Sequence, residues 1–268
     1  RAIEKARTLA ADTLILDLED AVAPDAKEAA RAAAVAALPT LAPHEVTIRV
    51  NGLGTPWASV DFAAVGASAA HALVVPKIEG PADAAEAVAR AAGKPVWVLI
   101  ETPRAIQSVD AIADTPGIEG LIAGFADLAK DLRLGPAPTR VNLHYAMSRI
   151  VAAARASNIL AFDGVHIDLD NPQALEAEAR EARAFGFDGK TCIHPSQLGV
   201  VNHVFSPSDT EIANARGLIE AHESALKEGK GVATYKGKMV EVLHVAEARR
   251  LLAVAAAVAG RELSTDRP

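Results

Sequence analysis

Along the whole chain, short runs of β-branched and apolar residues alternate with Ala-rich stretches whose apolar positions recur at helical spacing. The runs predict strands over Thr13–Leu18, Val46–Val50, Ala72–Pro76, Val96–Ile100, Gly120–Ala123, Gly164–Ile167 and Gly189–Ile193. Between them the pattern predicts helices over Asp25–Leu38, Pro56–Val65, Pro81–Ala92, Ala105–Ala113, Thr139–Ser157, Pro172–Phe185 and Ser196–Val204. Pro81 and Pro172 stand where a first helical turn has no use for an N–H. Strictly alternating strands and helices imply βαβ units and a parallel sheet.

The strand ends choose between an open sheet and a barrel. No Gly-x-Gly-x-x-Gly follows any strand, so the usual dinucleotide crossover is missing. Nearly every strand instead finishes on a charged or polar residue: Asp17 and Glu19, Arg49 and Asn51, Lys77, Glu101, Asp127, His166 and Asp168, His194. A (β/α)8 TIM barrel gathers all such ends on one face, where its chemistry sits. The expected fold is therefore that barrel.

Seven strands are countable where a closed barrel needs eight. Residues Ile3–Ala11 read as a helix leading into the first of them, so the expected first strand precedes Arg1. After Ser206 the alternation stops. A long helix over Ser208–Lys227, a Gly-rich stretch, a short segment Val232–Val242 and a last helix Leu243–Val258 follow. The expected division is a barrel over 1–205 and a C-terminal helical arm or lid over 206–268.

Composition narrows the function classes. The 268 residues carry 27 Lys+Arg against 34 Asp+Glu, a formal net charge of −7, and this acidic balance argues against nucleic-acid binding. A single cysteine, Cys192, excludes an intramolecular disulfide framework and a Cys-based zinc site. No apolar run approaches the ~20 residues of a membrane span, and a cytoplasmic setting is expected.

Glu101 and Asp127 close consecutive strands, whose backbones in a parallel sheet lie ~4.8 Å apart. Two carboxylates that close need a cation or a shared proton, and oxygen-only ligation favours Mg2+. The alternative is that both cap helices. Arg49 alternates with Ile48 and Val50, sharing a face with Thr47 and Asn51. It serves either a substrate carboxylate or an internal salt bridge to Asp17, Glu19 or Glu101. Asp17 and Glu19 also share a face, and their expected role is to orient Arg49, Lys77 or metal-bound water. Lys77 is read as an ion-pair partner ahead of a Schiff-base lysine. His166, Asp168, Cys192 and His194 are read as packing and loop residues.

The strings Leu14–Val22, Ile48–Asn51, Val75–Lys77, Ile100–Thr102, Gly124–Leu128, Asp188–Ser196 and Gly237–Val240, in this order, resemble the citrate lyase β-subunit-like family of the HpcH/HpaI aldolase superfamily. That family includes citramalyl-CoA and malyl-CoA lyases. The resemblance implies a magnesium-bearing barrel assembled as a homotrimer or homohexamer, cleaving a thioester into a 2-oxo acid and an acetyl thioester. Carried over by position, it implies that Glu101 and Asp127 hold Mg2+, that Arg49 grips the 2-oxo acid, and that Glu19 and Asp20 support this group. The family's opening strand, with its Phe-x-Pro-Gly-like turn, has no counterpart here. The arm's Gly-Lys-Met-Val would cover a neighbouring subunit's site. Many relatives have Asp as acid/base just after it, where this chain has Glu241, and Pro where it has Leu243.

The expected activity is cleavage of a citryl-type thioester, carried on CoA or acyl carrier protein, to oxaloacetate. The alternatives are a citramalyl-CoA or malyl-CoA lyase yielding pyruvate or glyoxylate, or a non-catalytic 2-oxo-acid-binding subunit. The expected partners are the 2-oxo acid, the acyl thioester and further copies of the chain, joined by citrate lyase alpha and gamma subunits where the chain is a complex subunit and not a stand-alone lyase, with no nucleic acid and no membrane.

Overall fold

Seven parallel strands lie side by side in chain order: β1 (Thr13–Asp17), β2 (Glu45–Arg49), β3 (Ala72–Val75), β4 (Val96–Ile100), β5 (Ile118–Ala123), β6 (Leu160–Asp163) and β7 (Gly189–Lys190). This computed structural model describes residues 2–137 and 139–265. A doubly wound sheet reverses its strand order at a switch point. This one never does, and it is the winding of a TIM-type barrel. Among the described residues β1 and β7 are its two edges, and no eighth strand joins them.

Among the described residues, nine helices accompany the strands: α1 (Ala2–Ala6), α2 (Lys27–Ala37), α3 (Ala58–Gly66), α4 (Pro81–Arg90), α5 (Pro103–Ala113), α6 (Phe125–Asp131), α7 (His144–Ala156), α8 (Pro172–Phe185) and α9 (Leu198–Phe205). Compact packing divides the chain into Arg1–Val201 and Asn202–Pro268.

Register sorts the strand residues into two faces. Thr47 pairs with Ala72, Arg49 with Val74, Val74 with Trp97, Leu99 with Ile122 and Ile122 with Phe162. One face therefore carries Ala72, Val74, Trp97, Leu99, Ile122 and Phe162, which pack as one cluster. The Trp97 and Phe162 rings lie 5.1 Å apart between centroids. Gly120 makes room for the indole, since a Cβ there would stand 3.2 Å from its ring. The same face, followed to the C-terminal strand ends, carries Asp17, Arg49 and Glu101. The opposite face, with Ile48, Leu73, Val75, Val98, Ile100 and Leu121, is fully buried. Strands covered on both sides read as continuous apolar runs in the sequence.

Several boundaries differ from expectation, and helix α6 is not among the expected ones. The sixth strand is Leu160–Asp163, before Gly164 rather than after it. A Cβ at Gly164 would stand 2.6 Å from the Ala123 carbonyl oxygen, so the close approach to β5 marks the strand's end. His166 and Asp168 consequently lie in the following loop. The seventh strand is only Gly189–Lys190, and the opening helix spans Ala2–Ala6 instead of reaching Ala11.

The C-terminal unit has its own small core. Helix α10 (Asp209–Lys227) opens with a reciprocal capping box between Ser208 and Glu211. An antiparallel hairpin, β8 (Ala233–Tyr235) and β9 (Lys238–Val240), turns through Lys236-Gly237, both at positive φ. Helix α11 (Val242–Thr265) follows. Ala225, Ala233, Val240 and Val245 form the centre, with Leu218, Ile219 and Tyr235 packed against it. Gly217 leaves space for the Tyr235 ring, whose atoms would lie 2.5–2.7 Å from a Cβ there.

Candidate active site

Four consecutive strand ends, β2 to β5, present Arg49, Lys77, Glu101 and Asp127 in sequence order. Arg49 is fixed first. Its Nε donates to Asp17 Oδ1 and its Nη2 to Asp17 Oδ2, both at 2.7 Å, while Nη1 lies 2.9 Å from Glu19 Oε2. Asp17 also accepts the backbone N–H groups of Glu19 and Ala21. Burial pushes the Asp17 carboxyl up, but Arg49 and these two N–H groups outweigh it and hold the carboxyl below its usual value. Burial pushes Glu19 up and prevails there, opposed by Arg49 and reinforced by Asp20. Asp20 itself is exposed, its N–H donating to Glu19 Oε2 at 3.2 Å.

Glu101 is 4 % exposed at the end of β4. It caps nothing: Thr102 is the N-cap of α5, its Oγ1 accepting the Ala105 N–H at 3.1 Å. Its Oε1 accepts the backbone N–H of Lys77 at 2.8 Å. Gly124 admits the side chain, since a Cβ there would stand 2.4 Å from Glu101 Cβ and 2.9 Å from Oε2. Asp127 sits in the first turn of α6, whose N-cap Gly124 offers no side chain. Its carboxylate contacts the ammonium of Lys77, which also lies 3.5 Å from Glu101 Oε1. One cation thus stands between the two carboxylates. The Lys77 ion pair expected from sequence exists, with Glu101 and Asp127 as its partners.

The chemistry of this donor set suits a hard divalent ion: two carboxylates, oxygen only, already gathered around a positive charge. Among the described residues, no group of three or more His, Cys, Asp or Glu is arranged to hold a metal. A pair of carboxylates plus water and substrate matches the habit of Mg2+ and disfavours Zn2+.

A buried network that was not anticipated holds the ends of β1 and β2. Lys27 Nζ, from α2, donates to the Leu18 and Glu19 carbonyls at 2.9 Å. Asn51 Nδ2 donates to Leu18 O at 2.9 Å and to Asp61 Oδ2 at 2.6 Å, and its N–H reaches the same oxygen at 3.0 Å. Arg31 Nε holds the other Asp61 oxygen at 2.6 Å. A signal existed: Ala58, Asp61, Phe62 and Val65 form one buried stripe of α3, and an aspartate in such a stripe demands partners.

Other charged and titratable groups have partners of their own. Asp163 pairs with Lys190 in register and belongs to the opposite face of the sheet. There Lys190 Nζ meets Asp163 Oδ2 at 2.7 Å, and Arg140 grips the same carboxylate at 2.8 and 3.0 Å. His166 Nδ1 lies 3.0 Å from Glu178. Burial pushes the Cys192 thiol up to about 11, so it is no nucleophile at neutral pH. His194 caps the turn that follows it, accepting the Ser196 N–H at 3.2 Å. Glu241 is exposed in the C-terminal unit, between β9 and α11, its N–H donating to His244 Nδ1 at 3.0 Å.

The sequence pattern of the HpcH/HpaI aldolase/citrate lyase family matches residues 1–195, and that of the C–C bond lyases of the TIM-barrel fold matches residues 141–259. The chain belongs to the HpcH/HpaI aldolase/citrate lyase family and is a carbon–carbon lyase. It is 42% identical over 261 residues to a (3S)-malyl-CoA thioesterase of Cereibacter sphaeroides, covering 97% of this chain and 92% of that protein. It is 34% identical over 278 residues to an L-malyl-CoA/beta-methylmalyl-CoA lyase of the same organism, covering 91% and 87%. The crystal structure of CitE from Mycobacterium tuberculosis, in complex with magnesium, acetoacetate and coenzyme A, superposes with a TM-score of 0.76 at 33% identity, covering 95% of this chain and 92% of that one.

Proposed function

We propose that this chain is a Mg2+-dependent lyase that cleaves a malyl-type thioester of coenzyme A to glyoxylate and acetyl-CoA, with Glu101 and Asp127 as the metal's protein ligands. The observation that carries the metal assignment is the cation already held between these two carboxylates. The malyl substrate ranks ahead of the citryl one because malyl-CoA proteins of 42% and 34% identity cover nearly the whole chain. CoA ranks ahead of acyl carrier protein because the CitE structure holds coenzyme A.

Bound there, Mg2+ supplies Lewis acidity toward the hydroxyl and carboxylate oxygens of the substrate. Arg49 supplies the orientation. Asp17 and Glu19 engage three of its five N–H groups, leaving one on each terminal nitrogen for a carboxylate. The substrate hydroxyl gives its proton to a water molecule and its oxygen forms the glyoxylate carbonyl as the bond between the hydroxyl-bearing carbon and the thioester α-carbon breaks, the electron pair of that bond passing to the α-carbon as the thioester enolate. Glu241, carried on the arm of a neighbouring copy in a trimer or hexamer, gives that carbon its proton. Glu19 and Asp20 keep the Arg49 corner negative enough to hold the guanidinium in place.

Hydrolysis of the same thioester is a second reading, favoured by the name of the 42%-identical relative. The deciding experiment follows glyoxylate, pyruvate, oxaloacetate and free CoA from malyl-, citramalyl- and citryl-CoA, with Mg2+ and with EDTA. Glyoxylate from malyl-CoA, lost in EDTA, is the expected result. Free CoA with malate instead would establish the thioesterase, and oxaloacetate from citryl-CoA alone would overturn the malyl preference.

A further inference from the structure

Lys77 has an unusual mounting. It follows Pro76 at the end of β3 with φ at +56°, a left-handed conformation that non-glycine residues rarely adopt. That backbone turn lets one residue meet the site twice. Its N–H donates to Glu101 Oε1 at 2.8 Å, and its ammonium lies 3.5 Å from the same oxygen while contacting Asp127. The side chain is 43% exposed, so the ammonium has open space to move into, whereas Glu101 is buried and cannot follow it.

We propose that Lys77 is an exchangeable internal cation: its ammonium neutralises Glu101 and Asp127 in the metal-free protein and swings out when Mg2+ takes the pair. The inference rests on the reading that these two carboxylates hold the metal. Two cations cannot share oxygens this close without strong repulsion. The backbone N–H has no such conflict and continues to orient Glu101 in both states. Lys77 therefore stabilises the empty site and competes with the metal for the filled one, which makes it a positioning residue that sets metal affinity.

The test is titration calorimetry of Mg2+ into the full chain, paired with melting curves in EDTA and in Mg2+, for the wild type, Lys77→Met, Lys77→Arg and Glu101→Gln. Lys77→Met is expected to bind Mg2+ about fivefold more tightly, to melt lower in EDTA, and to gain more from added metal. Lys77→Arg, which keeps the charge, should stay near wild type. Wild-type binding that Lys77→Met leaves unchanged or weakens overturns the exchange and leaves the metal pair standing. Binding that Glu101→Gln leaves intact takes down the metal assignment, and the exchange with it. Should Lys77→Met not fold, Lys77→Gln carries the same expectation.

Discussion

Asp17 grips Arg49 through two parallel bonds of equal length, Nε to Oδ1 and Nη2 to Oδ2, each 2.7 Å. This fork fixes the plane of the guanidinium and hence the direction of its two remaining N–H groups. Asp17→Asn keeps the shape but loses the charge and one acceptor. It should lower kcat/KM by about tenfold to a hundredfold through misorientation, with Mg2+ affinity near wild type. Steady-state kinetics beside calorimetry separates the two effects.

The same pair sets a pH limit. A carboxyl held below its usual value contributes stability that is complete above its unfolded pKa, about 3.9, and is lost as pH falls through the lower folded value. The contribution from Asp17 should therefore be intact at neutral pH and vanish only below about pH 4. In acid titrations followed by circular dichroism, Asp17→Asn should show a shallower fall in stability over that window.

Gly124→Ala adds one methyl where Glu101 already stands, 2.4 Å from its Cβ. Overpacking of this kind costs about 1–3 kcal/mol, and here the atom that must move is the site's own carboxylate. Both the melting temperature and the Mg2+ affinity should drop, the affinity by tenfold or more. A variant that melts lower yet binds metal normally would show that Glu101 does not depend on this gap.

Asp61→Ala removes the acceptor shared by Asn51 and Arg31 at a position with no exposure. Breaking a buried hydrogen-bonded pair and orphaning its partners costs about 3–5 kcal/mol. Denaturant unfolding should register that loss, and Asp61→Asn, which retains one acceptor, should lose less.

Cys192, with its thiol near 11, should react with iodoacetamide at neutral pH about a hundredfold more slowly than a free thiol, because only the thiolate attacks. The rate should climb with pH well past 9. Rapid alkylation at pH 7 would place the thiol in a different environment.

Much of this was legible in the chain itself. Buried strands read as apolar runs, and alternation put Asp17 and Arg49 on faces that parallel pairing then made adjacent. Helix caps are ambiguous in sequence where neighbouring polar residues compete: Thr102, beside Glu101, is the one that caps α5. The pattern places the sixth strand too late because Gly164 reads as its start, whereas close backbone packing makes it the stop. The meeting of Lys77 with Asp127 depends on a left-handed turn and on side-chain reach across β4, and neither leaves a periodic trace. The Asp61 network is long-range in the same sense, visible beforehand only as a misplaced charge.

Each group of the proposed site hangs from its own strand: Arg49 from β2, Lys77 from β3, Glu101 from β4, Asp127 just past β5. The inheritance of such a site is modular. The loop behind β2 can be exchanged, retargeting the anion that is recognised, while the carboxylate pair two strands away keeps its geometry. Descendants of one barrel can in this way change diet without relearning their chemistry.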